Sequence, residues 1–580
     1  MPRGWARWAV LPLAPLLLYL AFPPIDVSLL VFVGLVPLFW AAFPATIPPD
    51  FAPAISGPRQ GSGRRRRRPF GAQFTRGYVA GILFYVLHLH WLLKLSKDEI
   101  TIPWIMIPAL LVLGGFLGLF WGFAVGTAGW LQRRFRIHPM WGLPICWTLF
   151  DWFRTVGETG FAWGSLGYAL APVPAALQIT SWTGFWALPA WIAMTAGLLW
   201  RAIFDRTAGM PRRIRFAVAA AIVFAAPIGF GLVVLHDAPS GVRIVSPEPD
   251  ATGTDRTATA AIRTPSAGNP EDPASPLRFC LLQANTPREI KWEEDYRELV
   301  VADLLARTET AVARYHPDLV VWPETAAPLR ILWEKHLAAL TSSTIDSLDT
   351  WTLVGTLDAK RIEDGHSDPP QYEHYNAAVL FDPEGRPVWR YAKRRMVPFG
   401  ELTPYKRLLP FLSEIDFGQS DFTMGTAPGD FEIYGDRELS CLICFESTFP
   451  ELARGDVAKG ARYLVNITND FWYGRSAGPV QHQHFAIHRA VENGTPLLRC
   501  ANSGVSCVID AHGRVYAATD LFVEEYVTAD VLPGHGGTFY TRAGDWPLPL
   551  LAILLLVGIV RGLRDRRRPL PSPPSPETAR

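Results

Sequence analysis

The chain has 580 residues, too long for a disulfide-stapled mini-fold and long enough for more than one domain. It is 49% hydrophobic and 19% charged, with 22 tryptophans, which is less charge than a soluble protein usually carries. The net charge of +2 gives no ground for a nucleic-acid partner, because the positive charge is local.

Apolar runs near 8–22, 29–46, 77–93, 105–130, 139–153, 173–200, 214–236 and 546–561 predict a membrane domain of about eight helices. A span needs about 20 apolar residues, and the first and fifth runs are short enough to fit re-entrant or interfacial segments as well. No small-residue cleavage site follows the first run, so it reads as an uncleaved anchor. Arginines cluster after alternate runs: Arg64 to Arg68, then Arg133, Arg134 and Arg136. Further clusters are Arg201, Arg206, Arg212, Arg213 and Arg215, then Arg561, Arg564, Arg566, Arg567 and Arg568. The other loops carry few cations, chiefly Lys94, Lys97 and Arg154. Cytoplasmic loops of membrane proteins are enriched in Lys and Arg, so the polar region 237–545 is expected on the opposite side.

The expected divisions are a membrane domain over 1–236, a flexible linker over 237–276, a polar domain over 277–535, a membrane helix over 546–562 and a cytoplasmic tail over 563–580. The linker is rich in Pro, Ala, Ser, Thr, Gly and Asp and lacks apolar periodicity. In the polar domain, strand-like runs occur at Arg278–Gln283, Leu319–Trp322, Thr352–Gly355, Ala377–Phe381, Leu439–Phe445, Tyr463–Ile467, Val505–Ile509 and Arg514–Ala517. Helical patterns at 292–314, 331–345 and 476–493 interleave with them, which predicts an α/β sandwich. Asp382-Pro383-Glu384-Gly385 and Asp510-Ala511-His512-Gly513 predict hairpin turns.

Three residues at the ends of strand-like runs form a chemical set: Glu324 after Leu319–Trp322, Lys393 in Tyr391-Ala392-Lys393, and Cys444 in Cys441-Leu442-Ile443-Cys444. A thiol attacks as its thiolate, and free cysteine titrates near ~8.5, so Cys444 needs a base or a neighbouring cation. Glu324 suits the base, and Lys393 suits stabilisation of the thiolate and of an oxyanion. Taken alone, Cys444 fits a buried core cysteine equally well. Zinc or redox chemistry at Cys441 and Cys444 would want a helix N-terminus or a second cysteine pair. A strand places residues three apart on opposite faces, so only one of the two cysteines is expected at the site. His484 and His488 have a zinc-compatible spacing but no third ligand, and read as surface or interface histidines. No metal and no cofactor is expected.

The three segments, in this order, resemble the nitrilase (carbon–nitrogen hydrolase) superfamily. Flanked by membrane segments, the chain resembles the apolipoprotein N-acyltransferases. Ala21–Val27, Gly160-Phe161-Ala162-Trp163, Gly167-Tyr168, Gln283-Ala284-Asn285, Lys291-Trp292, Asn469–Gly474, Gly478-Pro479, Gln481-His482, Arg499 and Asn502-Ser503-Gly504 add to the likeness. The resemblance implies a four-layer α-β-β-α sandwich beside the membrane domain and a Glu324-Lys393-Cys444 triad. It implies an acyl chain taken from a phospholipid such as phosphatidylethanolamine, held as a thioester on Cys444, and passed to the N-terminal diacylglyceryl-cysteine of apolipoproteins. The implied location is the bacterial inner membrane, with the catalytic domain periplasmic. Supporting roles fall on Glu401, which holds Lys393, and on Glu446, Trp292 and Asn376. Phe445 stands where well-studied members have tyrosine; its backbone N–H and ring remain. Loops with Leu402, Tyr405, Leu408, Leu409, Phe411 and Leu412 read as a lipid-facing lid, and Phe417–Met424 and Phe471–Tyr473 as apolar cover.

Two other functions fit parts of the chain. A membrane-tethered amidase or nitrile hydrolase would use the same triad with water as acceptor, but needs no multi-helix domain. A transporter would place ionisable residues inside the spans; His88, His90 and Asp151 sit at run ends and form no mid-membrane relay.

Overall fold

The computed structural model describes residues 4–43, 69–94, 106–205, 209–245, 274–291, 293–362, 371–406, 408 and 422–567. Arg64 to Arg68, Lys97, Arg206, Arg568, Trp292, Leu409, Phe411, Leu412 and residues 417–421 lie outside them, as do the C-terminal tail and the middle of the expected linker.

Among the described residues, four helices are long and apolar enough to cross a membrane: Met106–Phe135, Ala187–Phe204, Met210–His236 and Pro547–Arg564. Trp5–Leu20 and Ser28–Ala42 are shorter apolar helices. The 20-residue helix Pro69–His88 lies along Met106–Phe135. Glycines on both sides allow this close approach, since a Cβ on Gly81 would sit 2.8 Å from the Gly118 Cα.

The expected helix over 173–200 begins only at Ala187. Before it the chain makes two single turns, Pro174–Leu177 and Thr180–Thr183, and redirects at Gly184, with φ +66°. A Cβ on Gly184 would lie 2.3 Å from the Tyr540 ring. Apolar composition marks burial rather than helix here: this stretch packs against the polar domain, where the Gln178 amide donates to the His512 carbonyl at 2.9 Å.

Among the described residues, the basic clusters after Met106–Phe135, Ala187–Phe204 and Pro547–Arg564 gather at one end of the bundle. Arg201 meets His138 at 3.1 Å, Arg213 donates to the carbonyls of Ala202 and Ile203, and Gly562 lies against the Phe135 backbone. The polar domain packs on the other end. There the Trp91 indole donates to Gln481 Oε1 at 3.0 Å, and Trp163 stacks on Phe445 at 5.9 Å.

Thirteen strands occur among the described residues: β1 (Val242–Ile244), β2 (Leu277–Gln283), β3 (Leu319–Val321), β4 (Trp351–Arg361), β5 (Tyr372–Phe381), β6 (Pro387–Ala392), β7 (Asp430–Ile433), β8 (Arg437–Ile443), β9 (Tyr463–Thr468), β10 (Leu497–Ala501), β11 (Cys507–Ile509), β12 (Val515–Tyr516) and β13 (Glu525–Val531). They form a seven-stranded sheet, β1-β13-β2-β3-β4-β5-β6, and a six-stranded sheet, β12-β11-β10-β9-β8-β7. Side chains alternate between faces. Leu281, Val321, Leu353, Ile443 and Val465 fill the space between the sheets, while Cys280, Val320 and Trp322 pack under the helices Arg297–Tyr315 and Lys335–Leu348. Leu442 and Leu464 face outward beneath the helices Pro450–Val457 and Gly478–Asn493, giving an α-β-β-α sandwich. That outer helical layer shares one continuous apolar core with the bundle.

Strands β2-β3-β4 run parallel, as do β8-β9-β10. Ligand sites of such sheets form at the carboxyl ends of the strands, because loops and polar backbone groups are free there. The Asp382–Gly385 and Asp510–Gly513 segments join β5 to β6 and β11 to β12, with Gly385 and Gly513 at positive φ. The expected linker is interrupted at its start, where Val242–Ile244 pairs with Val531–Ala529 as an edge strand. An edge strand is half-solvated, so its composition resembles that of a linker. Also absent from the expected set are β7, β10 and β13.

Candidate active site

Glu324 follows β3 and Pro323, in a turn where Thr325 adopts φ +48°. Gly355 on β4 lets this turn approach, since a Cβ there would lie 2.0 Å from the Pro323 carbonyl oxygen. The Glu324 carboxylate is buried. Its Oε1 accepts from Asn376 Nδ2 at 2.7 Å and from Lys393 Nζ at 3.2 Å, and its Oε2 accepts from the Asn469 N–H at 2.8 Å.

Lys393 leaves the end of β6 and is fully buried. Its Nζ also donates to Glu401 Oε1 at 2.8 Å. Glu401 is oriented in turn by the Val397 N–H at 2.9 Å and by Asn376 Nδ2 at 3.0 Å. Burial alone would lower the Lys393 ammonium, but the charges of Glu324, Glu401 and Cys444 carry it above its ordinary value. It therefore stays a cation.

Cys444 sits one residue past β8 with φ +52°, a left-handed conformation that a side chain rarely adopts. It opens the short 3₁₀ turn Cys444–Thr448. The buried Glu446 holds that turn by accepting from the Ile443 N–H at 2.7 Å, the Arg394 N–H at 2.5 Å and the Tyr391 hydroxyl at 2.8 Å. Burial pushes the Cys444 thiol above its ordinary value, and Glu324 adds to that; Lys393 opposes it. The thiol is thus protonated at rest, and attack by it would need a base to take its proton. Cys441 packs between the sheets. The two cysteines are separated by the turn rather than by strand alternation, because β8 ends at Ile443.

The Phe445 ring lies in an aromatic seam between Trp163, at 5.9 Å, and Phe449, at 5.2 Å. Trp91 and Tyr473 continue the seam at 4.8 Å. Asn376 therefore joins Glu324 and Glu401, whereas Glu446 and Phe445 shape the turn that carries Cys444. Arg394, next to Lys393, is paired with Asp456 at 2.8 Å.

His484 and His488 are buried, not on the surface, and His488 packs against Tyr168 and Phe185 at 5.0 and 5.4 Å. The Gly478–Asn493 helix is wedged between sheet and bundle, so even its polar faces are covered. Among the described residues, no group of three His, Cys, Asp or Glu side chains could hold a metal ion.

Two features carried no assigned role at the level of sequence. Lys291, fully buried, donates to the Glu324 carbonyl oxygen at 3.3 Å, and burial lowers its ammonium to about 8, with Glu324 opposing. Beneath Cys444, Asp470, His482 and Arg499 form a buried polar network. Their motifs, Asn469-Asp470, Gln481-His482 and Arg499, were visible, but nothing local linked them.

Residues 281–537 match the carbon–nitrogen hydrolase family, and residues 14–198 match the apolipoprotein N-acyltransferase N-terminal domain. The apolipoprotein N-acyltransferase of Geobacter metallireducens is 31% identical over 94% of this chain and 92% of its own length. That of Brucella melitensis is 30% identical over 98% of this chain and 97% of its own. The solved carbon–nitrogen hydrolase of Helicobacter pylori G27 aligns with 51% of this chain and 97% of its own at 17% identity and a TM-score of 0.35. A buried Glu-Lys pair beside a strained cysteine, in a sandwich fused to apolar helices, accords with 30–31% identity over nearly the whole length of the two acyltransferases: the chain belongs to the apolipoprotein N-acyltransferase family.

Proposed function

We propose that this protein moves an acyl chain from a membrane phospholipid to the α-amino group of the N-terminal diacylglyceryl-cysteine of apolipoproteins, through a thioester on Cys444. The observation that carries the mechanism is the pairing of Lys393 Nζ with both Glu324 and Glu401, at 3.2 and 2.8 Å, beside a thiol that burial keeps protonated. As the Cys444 sulfur attacks the ester carbonyl, Glu324 takes the thiol proton. Lys393 and the Phe445 N–H stabilise the oxyanion; one such donor contributes about 3 kcal/mol in other enzymes. Collapse breaks the ester C–O bond, and Glu324 returns the proton to the departing lysophospholipid. The acceptor amine then attacks the thioester, Glu324 takes its proton, the C–S bond breaks to leave the amide, and Glu324 returns the proton to the Cys444 sulfur. This is a ping-pong cycle. Water competes at the second step, and the aromatic seam of Trp91, Trp163, Phe445 and Tyr473 supports its exclusion. We read the site as periplasmic at the bacterial inner membrane, supported by the arginine-rich end of the bundle lying opposite the catalytic domain.

Intact-mass spectrometry of the enzyme with phosphatidylethanolamine tests this. An acyl-sized adduct should form on the wild type and not on Cys444→Ala, and a diacylglyceryl-cysteine peptide should discharge it. Free fatty acid with no adduct transfer would favour the hydrolase reading.

The lid reading predicts a second result. Leu408 is 77% exposed on the loop after Glu401, where a lipid-facing side chain is expected. Replacing Leu408 and Leu409 by serine should slow acylation from phospholipid vesicles about tenfold and leave a soluble thiol-reactive ester unaffected. Equal loss on both donors would remove the lid role.

A further inference from the structure

The nucleophile's turn is held from below by a network that the mechanism above does not use. His482, fully buried on the Gly478–Asn493 helix, places Nε2 3.1 Å from the Cys444 carbonyl oxygen and 3.3 Å from Ser447 Oγ. Ser447 Oγ itself donates to the same carbonyl at 3.0 Å. A carbonyl oxygen only accepts, so the ring holds it with its hydrogen on Nε2, the tautomer that lets Nδ1 accept from the donor Arg499 Nη2. Nδ1 lies 2.8 Å from Asp470 Oδ1 and 3.1 Å from Arg499 Nη2. Arg499 fixes Asp470 at 2.7 Å, and Thr468 Oγ1 donates to it at 3.1 Å. Gly504 leaves room for this carboxylate, since a Cβ there would lie 2.2 Å from Asp470 Oδ2. Trp163 and Tyr473 flank the imidazole at 5.6 and 6.1 Å, so the ring has one orientation.

The trio could be taken for a Cys-His-Asp relay. The ring nitrogens are otherwise engaged, however, with Nε2 directed at the backbone oxygen of Cys444. In a trans peptide the C=O and the next N–H point in opposite directions. Pinning the Cys444 carbonyl downward therefore aims the Phe445 N–H upward, away from His482. We infer that His482 is a positioning residue that aims the Phe445 N–H at the developing oxyanion, with Asp470 and Arg499 locking its ring. This rests on the reading of Cys444 as the nucleophile.

The test compares His482→Gln, His482→Asn and His482→Ala in the full-length enzyme in detergent. A glutamine amide nitrogen reaches the place of Nε2, whereas an asparagine amide reaches only that of Nδ1. Two rates are measured: acylation of Cys444 by phosphatidylethanolamine, followed by intact mass, and alkylation of Cys444 by iodoacetamide. Alkylation needs the thiolate but creates no oxyanion. The Asn and Ala variants should lose about 100- to 1000-fold in acylation while alkylation stays within about threefold of wild type, and Gln should acylate within about tenfold of wild type. The KM for the lipid should not change. Parallel loss of both rates, no loss in Ala, or Gln as slow as Ala would each overturn the assignment. Failure of the Gln variant to fold would make His482 a core residue and overturn it as well. A wild type that alkylates but never acylates would instead overturn the thioester reading.

Discussion

Lys393→Met should slow acyl-enzyme formation by about 100- to 1000-fold and cost about 3–5 kcal/mol of stability. The first effect follows from losing a permanent cation beside the thiol and the oxyanion. The second follows from what remains. Glu324 and Glu401 are both buried, and both accept from the same ammonium and from the same Asn376 amide. Without Lys393 they face each other as uncompensated carboxylates. Adding Glu401→Gln should restore part of the stability, because one buried charge is gone, but none of the acylation. Single-turnover acylation and denaturant unfolding in detergent separate the two effects. Acylation by Lys393→Met within about tenfold of wild type would remove Lys393 from the chemistry.

Arg499→Met should be comparably destabilising, by about 3–5 kcal/mol, with a distinctive pH signature. Burial would raise the Asp470 carboxyl, but Arg499 and His482 hold it down to about 2 from an ordinary 3.8. A carboxyl depressed in the folded state stabilises the fold above its unfolded value, and that contribution is lost as pH falls through the folded value. The contribution is roughly 2 kcal/mol, complete above about pH 4 and gone below about pH 2. In Arg499→Met it is removed at all pH values, so the stability gap between wild type and variant should be widest near neutrality and narrow on acidification to pH 3. Unfolding midpoints at the two pH values check this. A gap that stays constant would mean that Arg499 acts by packing rather than by charge.

The parts of this protein legible along the chain are those whose cause is local. Apolar runs mark membrane helices because about 20 residues must satisfy the bilayer. The turns at Asp382–Gly385 and Asp510–Gly513 declare themselves through residues that tolerate positive φ. Glu324, Lys393 and Cys444 stand out because each ends a strand-like run. Where burial alone drives composition, the local signal misleads: the stretch 173–183 is apolar without forming one helix, and Val242–Ile244 reads as linker although it joins a sheet.

The remainder depends on contacts between distant residues. Glu324 accepts from Asn469, 145 positions away, and Lys393 lies 69 positions from Glu324. His482 reaches the Cys444 carbonyl across 38 positions, and Trp91 reaches Gln481 across 390. No periodicity encodes such pairings, because they arise when parallel strands bring their carboxyl ends to one edge and when a helix is enclosed between sheet and bundle. Composition and motif order thus name the apolar helices, the sandwich domain and the three candidate residues. Which groups bond and which thiol is kept protonated follow from burial and geometry that exist only once the chain has folded.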